Sequence, residues 1–143
     1  MKIFVINGPN INMTGIRNHA VYGYQTFDDL QLEIYDFAKR NNLDITIKQS
    51  NHEGLLIDWL QQAFFEEYDG IILNAGAFTH YSYALRDAVE SIRPIPVIEV
   101  HMSDIYARED FRKNSVLSDV CDASVVGKGF GSYIEALELL LDK

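Results

Sequence analysis

The sequence contains one cysteine, Cys121, and three prolines among its 143 residues. A single cysteine excludes a disulfide within the chain, and no metal-ligand spacing surrounds it to suggest a zinc site. We therefore expect a reducing compartment. Long apolar runs are also missing, because Asn7, Gly8 and Pro9 end the apolar start of the chain too early for a signal peptide or a membrane-spanning helix. These absences predict a cytoplasmic protein.

Positive charge is scarce as well. The chain has 12 Lys and Arg residues against 21 Asp and Glu residues, and its formal net charge is -9. Nucleic acids and anionic membranes attract positively charged proteins, so neither is expected as a partner. A small-molecule partner is expected instead, and an anionic one would need locally placed cations. The length and the 48% hydrophobic content suit one domain over residues 1–143.

Short apolar runs at residues 3–6, 71–73 and 97–100 are bounded by Gly, Pro or Asn, which is typical of strands buried on both faces. Residues 44–48 alternate between polar and apolar, and residues 124–126 form only a brief run, so both predict edge strands. Apolar side chains recur at helical spacing in four further stretches, namely Leu30, Ile34, Phe37 and Ala38; Leu56, Leu60, Ala63 and Phe64; Leu85, Ala88, Val89 and Ile92; and Ile134, Leu137 and Leu141.

This alternation of strands and helices predicts a doubly wound α/β fold. With the edge strands second and fifth in the chain, the favoured order is 2-1-3-4-5, a flavodoxin-like three-layer sandwich whose five-stranded parallel sheet carries helices on both faces. Thr26 and Thr79 are expected to cap the first and third helices. The irregular segment from Gly8 to Gln25 is much longer than a usual loop, and we predict a lid loop at about residues 11–24.

Polar residues cluster where three of the predicted strands end. These clusters are Asn7-Gly8-Pro9-Asn10, Asn74-Ala75-Gly76 and Glu99-Val100-His101-Met102-Ser103, and the loop after the first strand adds Arg17 and Tyr22. Ligands of open α/β sheets bind outside the carboxyl ends of the strands. The sequence therefore predicts a functional site at this edge.

Glu99 and His101 are two residues apart on a strand, so their side chains should lie on the same face. A carboxylate beside an imidazole fixes the tautomer of the ring and favours its protonated form, which makes His101 a candidate general acid. The alternative is a buried ion pair that only closes the strand end. The position at the predicted site favours the functional interpretation.

Tyr22 could act as a base at neutral pH only if its pKa fell from near 10 to about 7. A neighbouring cation typically moves a pKa by about 1 to 3 units, and Arg17 is the first candidate, with Arg108 the second. The alternative for Tyr22 is a packed loop aromatic, and the chain has 8 tyrosines.

Further side chains near the strand ends suit a polyhydroxylated, acidic ligand. Asn10, Asn74, His80 and Ser103 offer neutral donors and acceptors, and the cations that could hold a carboxylate are Arg108 and Arg112. Taken singly, each has a simpler interpretation: Asn74 as a turn residue, His80 in the first turn of a helix, Arg112 as a solvated charge. Only their convergence supports a site.

Other motifs fail. Gly127-Lys128-Gly129-Phe130-Gly131 lacks the Walker and dinucleotide patterns and is interpreted as a turn. A phosphoacceptor receiver domain would need acidic residues where this chain has Asn7, Asn10 and Asn74. No Ser or Cys lies in a glycine-flanked elbow, and the histidines lack metal-site spacing. Metal-free acid–base chemistry remains.

Five blocks follow one another along the chain: Asn7-Gly8-Pro9-Asn10-Ile11-Asn12; Arg17 with Val21-Tyr22-Gly23; Gln49-Ser50-Asn51-His52-Glu53-Gly54; Asn74-Ala75-Gly76-Ala77 with Thr79-His80; and Glu99-Val100-His101-Met102-Ser103 with Ala107-Arg108-Glu109. In content, order and spacing they closely resemble type II 3-dehydroquinate dehydratase, over residues 3–140. The resemblance implies dehydration of 3-dehydroquinate to 3-dehydroshikimate by an anti elimination through an enolate, without a metal or organic cofactor. It leaves open whether the reaction serves aromatic biosynthesis or quinate breakdown.

The resemblance also implies catalytic roles. Tyr22, as a tyrosinate stabilised by Arg17, would take the proton next to the ketone, and Asn10 would hold a water on the enolate oxygen. His101, oriented by Glu99, would protonate the departing hydroxyl.

Substrate binding and assembly follow from the same matching positions. The residues that would hold the substrate hydroxyls are Asn74, His80 and Arg112, while the backbone at Met102 and Ser103 would receive the carboxylate. Members of the family form trimers packed into dodecamers, and Asp87 matches an aspartate that reaches a neighbour's site. A solvated helix face is the alternative for Asp87.

Two regions depart from the family pattern. The chain has Arg17-Asn18-His19 where the family usually has Arg-Glu-Pro, and this loses a carboxylate and a rigidifying proline. Asn114, Val116 and Asp119 stand where the family favours His, Tyr and Pro, and Asp122-Ala123 replaces a small-Gly pair. We expect catalysis to persist with altered lid behaviour.

Two rival functions remain at this point. One is a non-catalytic flavodoxin-like module that senses an acidic polyol. The other is a Schiff-base lyase that uses Lys128 at the end of the last strand.

Overall fold

Five parallel strands form the centre of the protein. In the computed structural model, which describes residues 1–16 and 25–143, they are β1 (Lys2–Asn7), β2 (Asp44–Gln49), β3 (Gly70–Asn74), β4 (Val97–His101) and β5 (Ala123–Val126). All neighbouring strands pair in parallel, in the order β2-β1-β3-β4-β5. The predicted flavodoxin-like sheet and its strand order are confirmed.

Helices connect the strands. The α-helices of the described ranges are α1 (Phe27–Arg40), α2 (Glu53–Phe65), α3 (Tyr83–Ser91) and α4 (Gly131–Leu141), and short 3₁₀ helices lie at Ile11–Met13, Gly76–His80, Ile105–Ala107 and Asp110–Lys113. In these ranges no helix is both long and apolar enough to cross a membrane. The first 3₁₀ helix begins the predicted lid loop, whose residues 17–24 lie outside the described part of the chain.

The two faces of the sheet are covered by different helices. Phe4 and Ile6 of β1 pack in one apolar cluster with residues of α2 and α3, whereas Ile3 and Val5 pack in another with residues of α1 and α4. Alternate residues of a strand point to opposite faces, so a strand covered on both sides must be apolar throughout. This explains why the central strands are short continuous apolar runs, while β2 at the edge is only partly buried.

Of the two predicted caps, one is correct. The Thr26 hydroxyl accepts a hydrogen bond from the Asp29 amide at 3.2 Å, and the Thr26 amide donates to the Asp29 carboxylate at 3.0 Å, which forms a capping box. Thr79 does not cap α3: the Ser82 hydroxyl accepts from the amide of Leu85 at 3.0 Å. The cause is the 3₁₀ helix Gly76–His80, which contains Thr79 and delays the start of α3.

One predicted core residue is also wrong. Phe64, near the end of α2, is 43% exposed, whereas Ala63 is fully buried. The Phe64 ring contacts that of Phe65, the last residue of α2, which is itself 78% exposed.

The register of the strands brings together the polar residues at their carboxyl ends. Asn7 is the register partner of Asn74, and Glu99 pairs with Leu73 on one side and Ser124 on the other. Beyond β1, the Gly8 amide donates to the Asn74 carbonyl at 2.7 Å, and a Cβ on Gly8 would lie 2.5 Å from the carbonyl oxygen of Ala75. Only glycine fits this approach, which brings the loop after β1 against the end of β3.

Candidate active site

A cleft opens outside the carboxyl ends of β1, β3 and β4, the place predicted for an open α/β sheet. It is lined by eight of the residues predicted from the sequence: Asn10, Asn74, His80, His101, Met102, Ser103, Arg108 and Arg112. Pro9, Ile11, Gly76, Ala77 and Ile105 complete the walls. Histidine, amide and guanidinium groups therefore line the same cleft.

His101 is held by Glu99. The two side chains lie 2.6 Å apart, between Nε2 of His101 and Oε2 of Glu99, and are 6% and 1% exposed. Because Glu99 is ionised, as shown below, its oxygen can only accept, so Nε2–H of His101 must be the donor. The other ring nitrogen, Nδ1, is then the one left to exchange a proton with a ligand. The predicted contact between these two residues is confirmed.

Glu99 also accepts hydrogen bonds from three serine hydroxyls. Ser115 donates to Oε2 at 2.8 Å, while Ser118 and Ser124 donate to Oε1 at 2.6 and 2.7 Å. Burial by itself would raise the pKa of this carboxyl, but the hydrogen bond and charge of His101, followed by the hydroxyls of Ser118 and Ser124, lower it to about 2. Glu99 is therefore a carboxylate at neutral pH.

Asn74 is oriented by a buried network that the sequence did not indicate. The Tyr133 hydroxyl donates to Oδ1 of Asn7 at 2.6 Å and accepts from Nδ2 of Asn74 at 2.8 Å. The amide group of Asn7 donates to the Lys48 carbonyl at 3.2 Å, which fixes its oxygen toward Tyr133. Since the phenol has one proton and gives it to Asn7, the group of Asn74 that faces it must be the NH₂. Burial raises the pKa of Tyr133, so the phenol stays neutral.

Asn10 sits on a loop held by the end of β2. Its backbone is in the left-handed region, with φ 69°, and its backbone N–H donates a hydrogen bond to Oδ1 of Asn51 at 3.0 Å. The side-chain amide of Gln49 donates to the Gly8 carbonyl at 3.1 Å and to Oδ1 of Asn51 at 3.3 Å. The block around Gln49 therefore positions the loop after β1.

Two arginines, Arg108 and Arg112, are among the residues that line the cleft. A guanidinium nitrogen of Arg108 lies 3.4 Å from the Ser103 hydroxyl, and Nε of Arg112 donates to Glu109 at 2.7 Å. His80 is held through Nδ1 to the carbonyl of Asn114 at 2.8 Å. Its pKa is lowered, mainly by burial and further by the nearby His101 and Arg112, so the ring is neutral at pH 7. The acidic protein thus concentrates positive charge where an anion could bind.

The whole chain is similar to one family of enzymes. The family model described as "Dehydroquinase class II" matches residues 1–141. The chain belongs to the class II dehydroquinase family.

Individual relatives agree along the full length. The 3-dehydroquinate dehydratase of Lachnospira eligens is 49% identical over 142 residues, which are 99% of this chain and 97% of that protein. That of Thermotoga neapolitana is 51% identical over 138 residues, 96% of this chain and 92% of that protein. The crystal structure of the type II dehydroquinase from Butyrivibrio crossotus has a TM-score of 0.98 and 48% identity, covering 99% of this chain and 97% of that chain.

Four residues predicted for the dehydroquinase site are not among those that line the cleft in the described part of the chain. Arg17 and Tyr22 lie outside the described residues. Asp87 lies exposed on α3 and is not part of the cleft lining, so its predicted role at a neighbour's site stays a prediction. Glu99 acts from behind His101 rather than in the cleft wall.

The Schiff-base alternative has no support in the geometry. Lys128 is 54% exposed, its Nζ pairs with Glu135 at 2.5 Å, and it does not line the cleft. Gly127 and Gly129 have φ of 81° and 59°, which fits the predicted turn. Within residues 1–16 and 25–143, no group of three or more His, Cys, Asp or Glu side chains is arranged to hold a metal ion.

The sequence missed the residues that support the dehydroquinase cleft from behind. These are the hydroxyl groups of Ser115, Ser118 and Ser124, which donate to Glu99, and that of Tyr133, which accepts from Asn74. Tyr133 directly precedes the apolar pattern of the last helix, and serines in loops carry no distinctive pattern. Only the pairing of Glu99 with Ser124 across β4 and β5 could have been found, from the strand register.

Proposed function

We propose that the protein dehydrates 3-dehydroquinate to 3-dehydroshikimate in this cleft, as the family implies. The observation that carries the proposal is a buried Glu99–His101 pair, 2.6 Å apart, whose imidazole opens into a cleft with two arginines on its wall. An acid, polar groups that bind hydroxyls and local positive charge all serve the removal of a hydroxyl from an anionic polyol, which also needs a base.

His101 is the proposed general acid. Its Nε2–H is committed to Glu99, so Nδ1–H would supply the proton that leaves with the hydroxyl as water. The hydrogen bond to Glu99 keeps the ring in one orientation before and after the transfer.

Tyr22 is the proposed base, as the tyrosinate, with Arg17 as its stabilising cation. It would take a proton from the carbon next to the ketone, and the electron pair of that C–H bond would pass to the ketone oxygen to form the enolate. Asn10 would hold a water on this oxygen. Arg108, which lines the cleft, is a second cation that could lower the pKa of the phenol. Collapse of the enolate would then expel the hydroxyl on the opposite face.

The remaining residues are proposed to bind the substrate. Asn74, His80 and Arg112 would hold its hydroxyls, and the backbone at Met102 and Ser103 would receive its carboxylate. The fixed orientation of Asn74 by Tyr133 and the neutral state of His80 both suit hydrogen bonds to uncharged hydroxyls.

The assembly and location belong to the same proposal. We propose a cytoplasmic homo-oligomer in which trimers pack into a dodecamer and Asp87 reaches a neighbour's cleft. Sedimentation velocity on the purified protein measures the assembly: a species of twelve chains supports it, and a monomer at working concentration contradicts it.

One assay separates this function from its rivals. The product is a conjugated enone, so ultraviolet absorbance should rise when 3-dehydroquinate is added to the purified protein. Binding heat in a calorimeter without any rise in absorbance would instead identify a sensor. Irreversible loss of activity with borohydride plus substrate would identify a Schiff-base lyase, and we expect none.

A further inference from the structure

We propose that Ser115, Ser118 and Ser124 are positioning residues that hold the Glu99 carboxylate so that it, in turn, fixes His101. This inference rests on the proposed function, because it assigns the serines to the acid half of the reaction. The serines come from the segment before β5 and from β5 itself, and none of them lines the cleft.

Both oxygens of the Glu99 carboxylate accept two hydrogen bonds each. Oε1 accepts from Ser118 at 2.6 Å and Ser124 at 2.7 Å, and Oε2 accepts from His101 at 2.6 Å and Ser115 at 2.8 Å. Four donors point at two oxygens, and an ionised carboxylate is the form that only accepts. A protonated Glu99 would have to turn its own O–H toward one of these donors, so the arrangement itself selects the anion.

The direction of the Ser115 hydroxyl is forced by its other contacts. Its oxygen accepts from the backbone amides of Leu117 and Ser118, both at 3.1 Å. These two bonds occupy its lone pairs, so its single proton is free only for Glu99. The turn at residues 115–118 therefore acts as a donor aimed at the carboxylate.

Ser124 reaches Glu99 from the neighbouring strand. The two residues are register partners on β5 and β4, so their side chains lie on the same face of the sheet. The Ser124 hydroxyl is also 3.5 Å from the Ser118 oxygen, but Oε1 at 2.7 Å is the nearer acceptor and takes the proton.

Neutral donors suit this position better than a cation. An arginine or lysine beside Glu99 would compete with the imidazole of His101 for the carboxylate. It would also repel the protonated imidazole. Hydroxyls offset the cost of burying the charge without neutralising it. The full negative charge of Glu99 thus stays available to His101.

Other charged groups around Glu99 are few. Its charge acts on His101 of the same strand, on His80 from the 3₁₀ helix before α3, and on Cys121 from the segment before β5. Asp119 on that segment pairs with Arg86 of α3. Removing a hydroxyl changes none of these charges, which makes Ser→Ala variants a clean test.

The test follows the Glu99 carboxyl directly, by ¹³C NMR with labelled glutamate and a pH titration, in wild type, Ser118→Ala, Ser124→Ala and the double variant. The Glu99 signal is assigned by its absence in Glu99→Gln. We expect a midpoint near 2 in wild type and a rise of about 1 pH unit for each hydroxyl removed. A double variant that titrates like wild type would overturn the proposal, whether or not the protein turns over 3-dehydroquinate.

Steady-state kinetics at pH 7 provide the functional arm. We expect kcat to fall about tenfold in the double variant, the loss expected when about 1.4 kcal/mol of transition-state stabilisation is removed, while KM changes little. Ser124→Thr keeps the hydroxyl at an exposed position and should restore kcat. Thr46→Val, which removes a strand hydroxyl bonded to Tyr68 instead, is the matched control. Equal losses in Ser124→Thr and Ser124→Ala would show that packing, and not hydrogen bonding, is at work.

Discussion

At the scale of single residues, the proposed acid half of the site depends on one side chain, Glu99, that does not line the cleft. Glu99 is almost fully buried, yet it sets the tautomer of His101 and is itself set by hydroxyls from residues 16 to 25 positions further along the chain. The proposed base half depends on Tyr22, which lies outside the described residues. The two halves therefore call for different experiments.

For the base, we expect Tyr22→Phe to lower kcat by about 10² to 10⁴, the usual contribution of a general base, with substrate affinity largely kept. The phenyl ring preserves the shape of the side chain and removes only the oxygen that would take the proton. Absorbance kinetics give kcat, and calorimetry gives the affinity. Tyr35→Phe, an exposed tyrosine of α1, is the matched control. A loss below tenfold would remove Tyr22 from this role.

For Glu99, we expect a distinct contribution to acid stability. Its folded pKa of about 2 lies below the unfolded value of about 4.3, so the stabilisation is fully present above pH 4.3 and is lost as the pH falls toward 2. Glu99→Gln should therefore flatten the decline in the free energy of unfolding between pH 5 and pH 3, measured by urea denaturation. Glu33→Gln, which removes an exposed carboxyl of α1, is the control. Parallel curves for wild type and Glu99→Gln would contradict this expectation.

Residues whose contacts lie close together in the sequence could be predicted, whereas residues whose contacts join distant segments could not. Glu99 and His101 were found because two residues that lie two positions apart on a strand must share a face. The hydroxyl partners of Glu99 and Asn74 were not found, because they are brought to these residues only by strand order and by the docking of α4.

At the scale of secondary structure elements, local signals were reliable where nothing else competed. The capping box of α1 was recognisable from Thr26 and the acidic residues that follow it. The start of α3 was misjudged because the chain first forms a 3₁₀ turn. That turn is held by the segment before β5, through the bond from the Val116 amide to the Thr79 carbonyl at 2.9 Å and from His80 to Asn114. Contacts of this kind, between segments far apart in the sequence, cannot be predicted from the local sequence.

The tight approach of the β1 loop to β3 gives a prediction at this scale. Gly8→Ala would place a Cβ 2.5 Å from the backbone oxygen of Ala75, which cannot move without shifting β3. We expect a loss of about 1 to 3 kcal/mol in the free energy of unfolding, the usual cost of overpacking, together with a higher KM because Asn10 and Asn74 are displaced.

The control for this substitution lies in α2. A Cβ on Gly54 meets nothing within 4 Å, and Ala is better than Gly in a helix by about 0.5 to 1 kcal/mol. Gly54→Ala should therefore be neutral or stabilising in the same urea titration. Equal stability of Gly8→Ala and wild type would show that the loop does not need this contact.

At the scale of the whole molecule, the pattern of alternating strands and helices was enough to predict the sheet order and the edge at which the cleft lies. The net charge of -9 led to the expectation of local cations for an anionic ligand, and Arg108 and Arg112 line the cleft. The depth of the cleft and the supports behind it could not be read from periodicity, since they depend on how the connecting segments pack over the strand ends.

The central claim is that a base and an acid act on opposite faces of one substrate in this cleft. The most direct test is to form 3-dehydroquinate from 3-dehydroshikimate in D₂O with the protein and to locate the incorporated deuterium by NMR, with a sample lacking protein as the control. The account predicts one deuterium on the methylene next to the ketone, on the face opposite the hydroxyl that is added. Deuterium on the same face as that hydroxyl, or on both faces equally, would contradict it.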